Sequence, residues 1–179
     1  MQIETRIPLL DEILNERKTA IGDDFAGYRN HVYRMVNFCF ALDENFGAEE
    51  REKIVVAGCF HDIGIWTGGR TLDYLPPSID AARAYLSQNK LEKWIPEITR
   101  MIDEHHKLRE CRGDRLTEVF REGDLVDFSL GLFKCGLPKN YVAAVKKQFP
   151  NNGFHKFLAR LAGGWICRHP LNPLPIVRF

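Results

Sequence analysis

His61 and Asp62 stand together at the end of an apolar segment, Ile54 to Phe60. A carboxylate at that place is disfavoured twice. Burial penalises it unless it is paired or coordinated, and the C-terminal end of a helix repels negative charge. A bound cation removes both objections; an arginine partner or a capping role is the plain alternative. His31 lies beside an apolar stripe, one turn before Met35. A single histidine there reads as readily as a residue at the core edge. His105 continues the inward series Ile95, Ile98, Ile102, so a helix points an imidazole where a further isoleucine would fit. His106 follows Ile102 by one turn and shares that direction, while Glu104 is expected on the outer side. Asp124 and Asp127 are three residues apart on one helix face, between Phe120 and Phe128.

Each signal is weak alone. Together they place His, His-Asp, His-His and Asp in order on successive helices. Imidazoles and carboxylates bind divalent first-row metals, and carboxylate oxygen also suits Mg. A site with His31, His61, Asp62 and Asp124 as ligands leaves positions open for water and a phosphate oxygen. The metal is one of Mn, Fe, Co, Ni, Zn or Mg, as one ion or two.

The elements that must position these residues are helices. A first helix is expected from Ile7 to about Ala20, with Pro8 in its first turn. In the second, Phe25, Tyr28, Val32, Met35, Cys39, Leu42 and Phe46 recur at steps of three and four. Asp23 or Asp24 is expected to cap its start and Gly47 to end it. The third runs from about Glu49 to Ile63, apolar on every side and hence central, with Gly64 as its stop. A loop from Trp66 to Pro77 follows, then Ser78 as cap of a helix from Ile79 to about Asn89. Further helices are expected at Trp94–Leu108, Leu116–Phe128, Pro138–Gln148 and Asn152–Cys167. Gly123 permits another helix to approach Asp124 closely. The tail from Pro170 to Phe179 reads as extended and packed on the surface. No segment alternates at period two, so the class is all-α, in a single domain over residues 1–179 with a core at about 24–130.

The chain has 179 residues, with 25 Lys and Arg against 24 Asp and Glu. That balance argues against bulk nucleic-acid binding by a basic surface. No apolar run approaches the ~20 residues of a membrane span, and Met1 to Glu12 lacks a basic-then-apolar leader. The 5 cysteines are odd in number and none lies at CxxC spacing. Cys39 and Cys59 sit in apolar helices as small core residues. A reducing, cytoplasmic setting without a disulfide framework or zinc–thiolate site is expected.

The segments YRNHVYRMVNF, AGCFHDIGIW, ITRMIDEHHKL and FREGDLVDFS resemble the HD superfamily of metal-dependent phosphohydrolases, over about Asp24 to Leu130. HDIG within a small-residue helix is the most specific piece. The resemblance implies a helical bundle with the metal between its central helices and His31, His61, Asp62 and Asp124 as ligands. It also implies that His105 and His106 are the downstream pair that in some members holds a second metal or meets substrate. The stretch GIWTGGRTLDYLPPS lacks the acidic pair of the alarmone hydrolases and the extra histidine of the cyclic-dinucleotide phosphodiesterases. FPNNGFHKFL and HPLNPLP look like those of a small stand-alone bacterial subgroup.

The chemistry so implied is hydrolysis of a nucleotide or other small phosphate ester by a metal-activated water. His105 or His106 would shuttle a proton, and Asp127 would orient a ligand histidine. Lys107, Arg109 and Arg70 are the cations expected to meet phosphate. Trp66 and Tyr74 either stack on a base or hold their loop down. His155 and His169 are read as structural. The rival readings are a di-iron oxygenase and a non-catalytic sensor that binds metal or nucleotide. The chain is expected as a monomer or homodimer, with no membrane partner.

Overall fold

The computed structural model of the chain describes residues 1–173 and 175–177. Among them the fold is all-α: α1 (Pro8–Ile21), α2 (Phe25–Leu42), α3 (Ala48–Phe60), α4 (Gly64–Thr67), α5 (Leu75–Gln88), α6 (Ile95–Glu104), α7 (Arg115–Phe128), α8 (Lys139–Gln148) and α9 (Phe154–Arg168). Helices α2 and α3 form the centre, with residues 31–41 and 53–60 buried without interruption. Helices buried on all sides need apolar partners on all sides. Here α1, α5, α6 and α7 supply them, and Tyr28, Val32, Met35, Ile54, Phe60, Ile98, Ile102 and Phe120 meet in one core. Among the described residues no helix is long and apolar enough to cross a membrane.

Two glycines decide how closely the site-bearing elements approach. At Gly123 on α7 a Cβ would lie 2.3 Å from Cys39 Sγ and 3.2 Å from Met35 O on α2. At Gly64 a Cβ would lie 2.1 Å from the backbone oxygen of Tyr74. The first lets α7 lie against α2; the second seats the loop carrying Tyr74 on the segment after Asp62.

Several expected boundaries give way to tertiary contacts. Asp24 does not cap α2. A 3-10 turn, Gly22–Asp24, leads into that helix without a side-chain cap, and the Asp24 carboxylate instead accepts from Trp66 Nε1 at 3.0 Å. Gly47 ends no helix. It precedes α3, its N–H bonded to Glu50 Oε2 at 2.9 Å, which anchors the first turn of α3. Gly64 opens the short α4 rather than stopping α3. The chain turns between Phe60 and Gly64, with Ile63 N bonded to Phe60 O. Ser78 lies inside α5, because Pro76 and Pro77 fit its first turn. Its hydroxyl accepts from Gly64 N at 2.9 Å. Helix α6 ends at Glu104 rather than Leu108, where His105 Nδ1 folds back on Ile102 O at 2.7 Å and satisfies a last-turn carbonyl. Glu104 is half-buried, not outward, accepting from Lys107 Nζ at 3.0 Å and Cys111 Sγ at 3.1 Å. The tail is turned rather than extended over its described residues. Trp165 Nε1 holds Asn172 O at 2.9 Å, and Ile176 packs with Tyr74, Leu158 and Trp165 in a satellite cluster. Leu174, Arg178 and Phe179 lie outside the described residues.

Candidate metal centre

His31 from α2, His61 and Asp62 from the turn after α3, His105 from the turn after α6, and Asp124 from α7 converge, all buried. His31 Nε2 is 3.0 Å from His61 Nε2, 3.7 Å from Asp62 Oδ2 and 3.6 Å from Asp124 Oδ1. His61 Nε2 is 3.4 Å from Asp62 Oδ2 and 3.7 Å from Asp124 Oδ1, and His105 Nε2 is 3.7 Å from Asp62 Oδ1. Most of these separations exceed hydrogen-bond length. They match the spacing between ligand atoms that share a cation at about 2.1 Å.

The tautomers are set from behind. His61 Nδ1 meets Gly58 O at 2.8 Å and His105 Nδ1 meets Ile102 O at 2.7 Å. A carbonyl only accepts, so each Nδ1 carries the proton. His31 Nδ1 donates to Asp127 Oδ2 at 2.7 Å. All three rings therefore turn Nε2 toward one point. His31 Nε2 and His61 Nε2, 3.0 Å apart, need a proton or a cation between them. His105 Nε2 and Asp62 Oδ1 are also buried without a hydrogen-bond partner among the described residues. Unsatisfied acceptors gathered in one place are costly, and a divalent cation satisfies them together. His31, His61 and Asp124 form one group of the right compactness; His61, Asp62 and His105 form a second; His105, His106 and Asp124 form a third.

Electrostatics agree with a ligand role. Burial lowers His31 to about 4, against the pull of Asp127, so its ring is neutral. Burial, with His105 alongside, holds His106 well below the usual histidine range. Burial alone would raise Asp62, but His61 and His105 outweigh it and keep the carboxylate ionised. Asp124 is pushed up to about 7 by burial, with the Asp62 charge beside it adding to the effect.

Behind His31 stands an arrangement that the sequence reading reached only in part. Asp127 is held by Arg34 Nε at 2.5 Å and Arg34 Nη2 at 2.8 Å, while Arg34 Nη1 donates to Phe149 O at 3.0 Å. These contacts outweigh burial and hold Asp127 far below the ordinary carboxylate range. Arg34 was missed. Its signal was an arginine one turn after His31, on a helix with no room for solvent. His155 Nε2 meets the backbone oxygen of Asp127 at 2.9 Å, so His155 supports α7 from behind. His169 stacks on Trp165 at the surface, 3.8 Å between ring centroids.

His106 meets Tyr74 Oη at 2.7 Å through Nε2. Burial raises Tyr74 well above its usual range, so its hydroxyl stays protonated. Neither expected aromatic offers a free face. Tyr74 is buried, and Trp66 stacks on Phe157 at 5.6 Å. The cavity above the ligands is small, about 90 Å3, and walled by Leu72, Phe128, Phe154, Leu158 and Ile176. An adjoining cavity of about 300 Å3 shares His106 and Asp124 and brings in Lys107 and Arg121. Arg109 lies away from both, in a shallow surface groove with Glu110 and Arg112. Arg70 also lies away, ion-paired with Asp24 at 3.4 Å and over the Phe157 ring at 5.8 Å.

No curated protein and no solved structure matches this chain. The sequence model described as HD domain does, over residues 28–124, more than half of the chain and a span containing all five converging residues. The four elements that carry His31, His61-Asp62, His105 and Asp124 are thus the matched ones, and the chain belongs to the HD-domain family.

Proposed function

We propose that the protein is a metal-dependent phosphohydrolase acting on a nucleotide or other small phosphate ester. One observation carries the reading: three imidazoles, each held through Nδ1, aim Nε2 at two carboxylates in a buried pocket. His31, His61, Asp62 and Asp124 would hold the cation. A divalent metal held by these residues would supply Lewis-acid activation of a phosphoryl oxygen and of a water. Arg34 and Asp127 fix the plane of His31, and Gly58 O fixes that of His61, which preorganises the ligand set. His105 Nε2, buried and without a partner in the protein, is placed to take a proton from the attacking water. His106 is held by Tyr74 Oη at Nε2, which leaves its Nδ1 to meet the departing oxygen. Lys107 neutralises charge from the adjoining cavity.

The overlapping ligand groups, which share His61, Asp124 and His105, have donors enough for two cations. That observation favours a di-iron oxygenase as the second reading. The test is phosphate release from a panel of nucleotides and simple phosphate esters with each divalent metal, for the wild type and Asp62→Ala side by side. Metal-dependent release by the wild type, lost with metal in the variant, is the expected result. A wild type that keeps its metal yet hydrolyses no monoester or diester overturns the reading. Two irons per chain with substrate-dependent oxygen uptake would then install the second.

A further inference from the structure

A second concavity lies across Phe154 from the metal cavity. It is a groove of about 650 Å3, bounded by Gly69 and Arg70 on one side and by the outer face of α9 on the other. Its volume falls in the range of small-molecule sites. Lys156, Arg160 and Arg168 all line it, spaced by four and eight residues and so on one face of the helix. Arg70 faces them. Four cations in one groove depart sharply from a chain whose net charge is +1. The single acid of the lining, Asp24, is committed to Trp66 Nε1 and Arg70. Lys156 and Arg160 make no ion pair with the described residues. Asn152 and Gly153 line the same groove at the start of α9, whose first two N–H groups are bonded to Asn151 O and Asn151 Oδ1. The positive end of its dipole adds to the same field.

We propose that this groove is an anion-binding site distinct from the metal centre, and that its ligand carries two or more phosphate groups. One phosphate needs no such length: Lys156 to Arg168 spans about 18 Å along the helix. A nucleic acid is disfavoured, because the cations line one bounded groove rather than a basic face. The phosphates have two possible sources. They are the distal end of the ester whose other end reaches the metal, or they belong to a separate molecule. In either case Phe154 is the link, since its ring stacks on His31 at 4.4 Å on the metal side and walls the groove on the other.

The probe is inorganic tripolyphosphate, titrated calorimetrically into the full-length protein as purified. The comparison is wild type against the double variant Lys156→Ala and Arg160→Ala. Both side chains are exposed, so folding is preserved; Arg168→Glu serves as an independent second variant. Saturable binding by the wild type is expected, weakened at least about tenfold in either variant and reduced by salt. Metal content and thermal stability should stay unchanged. Lys107→Ala should leave this binding intact. Equal binding by wild type and both variants would place the anion on the metal and overturn the site, as would the absence of saturable binding. Tighter capture of an RNA oligonucleotide than of tripolyphosphate would overturn the small-anion class. If the double variant raises KM for a nucleoside triphosphate but not for a monophosphate ester, the phosphates arrive with the substrate. If KM is unmoved while binding is lost, they arrive separately. Binding is read without turnover, so failure of the hydrolase reading leaves this test standing.

Discussion

The metal cavity and the basic groove are neighbours that share Phe154, yet they are built on opposite principles. The cavity is buried, nearly closed and walled with apolar side chains, and its polar atoms are aimed by contacts behind them. The groove is open and its cations are exposed, with Arg70 held by Asp24 and Arg168 by Gly164 O. Enclosure makes a site selective for a small cation, because every ligand atom is preorganised and an unfilled position is costly. Exposure makes a site tunable, because screened charges attract an anion in proportion to its charge and to the salt present. Change in the first should therefore act strongly and all at once, and change in the second weakly and by degrees.

The largest expected effect is in the enclosed site. Asp62→Ala should cost more than about a hundredfold in metal affinity and in any metal-dependent turnover, as a ligand outranks its supports. Metal content after dialysis, measured beside activity, checks this. A variant that keeps both would break the comparison. Next is Arg34→Met, which leaves the Asp127 charge buried without its fork. Loss of one partner from such a pair costs about 3–5 kcal/mol, read as a lower unfolding midpoint in denaturant. Asp127→Asn breaks the same pair from the other side, so stability should fall as well, while metal affinity falls about 10–100-fold as His31 loses its partner. Gly64→Ala should cost about 1–3 kcal/mol, because a Cβ 2.1 Å from Tyr74 O forces the loop back and loosens the Tyr74–His106 contact.

A pH titration sharpens the contrast. Asp124, pushed up to about 7, must lose its proton to act as a ligand, while His31, lowered to about 4, is already neutral there. Cation affinity should rise with pH, by up to about tenfold per unit below 7, and level off above it. Calorimetry in buffers of different ionisation enthalpy would count the proton released; a flat profile between about pH 5 and pH 7 contradicts the assignment. The smallest effect belongs to the groove. Lys156→Ala with Arg160→Ala should move stability by no more than about 0.5 kcal/mol, as thermal unfolding will report.

Much of the enclosed site was readable in the chain, for one physical reason. His105 sat where periodicity asked for an apolar residue and Asp62 at the end of a buried helix, and a polar side chain in such a place must be satisfied by something. His105 in the series Ile95, Ile98, Ile102 is the clearest case, and the HDIG segment after Ile54 to Phe60 is the second. The helices carrying them were legible through the same periodicity, to within a few residues. Their ends were less so. Asp24, Gly47, Gly64 and Ser78 all have the chemistry of caps and stops, but long-range partners claimed three of them: Trp66 for Asp24, Tyr74 for Gly64, and the Gly64 N–H for Ser78. Local rules assign a cap by its neighbours in sequence, whereas a fold assigns its hydrogen bond to whatever arrives in space.

The cations show the same division. Lys107 and Arg109 were expected at the phosphate because they follow the histidine pair directly, with Arg70 beside them as a further available cation, and nearness in sequence does not decide which wall of a fold a side chain joins. Only Lys107 reaches a cavity bordering the ligands. Arg34, which does govern a ligand, was hidden because its partners Asp127 and Phe149 are 93 and 115 residues away. Spacing along a helix determined by itself which residues face inward, and so the class of fold and the order of the candidate ligands. Tertiary structure alone decided which backs hold those ligands, how small the cavity is, and that α9 and the tail close it. Inward direction follows from the 3.6-residue turn, but a partner 100 residues away is chosen only when the helices pack.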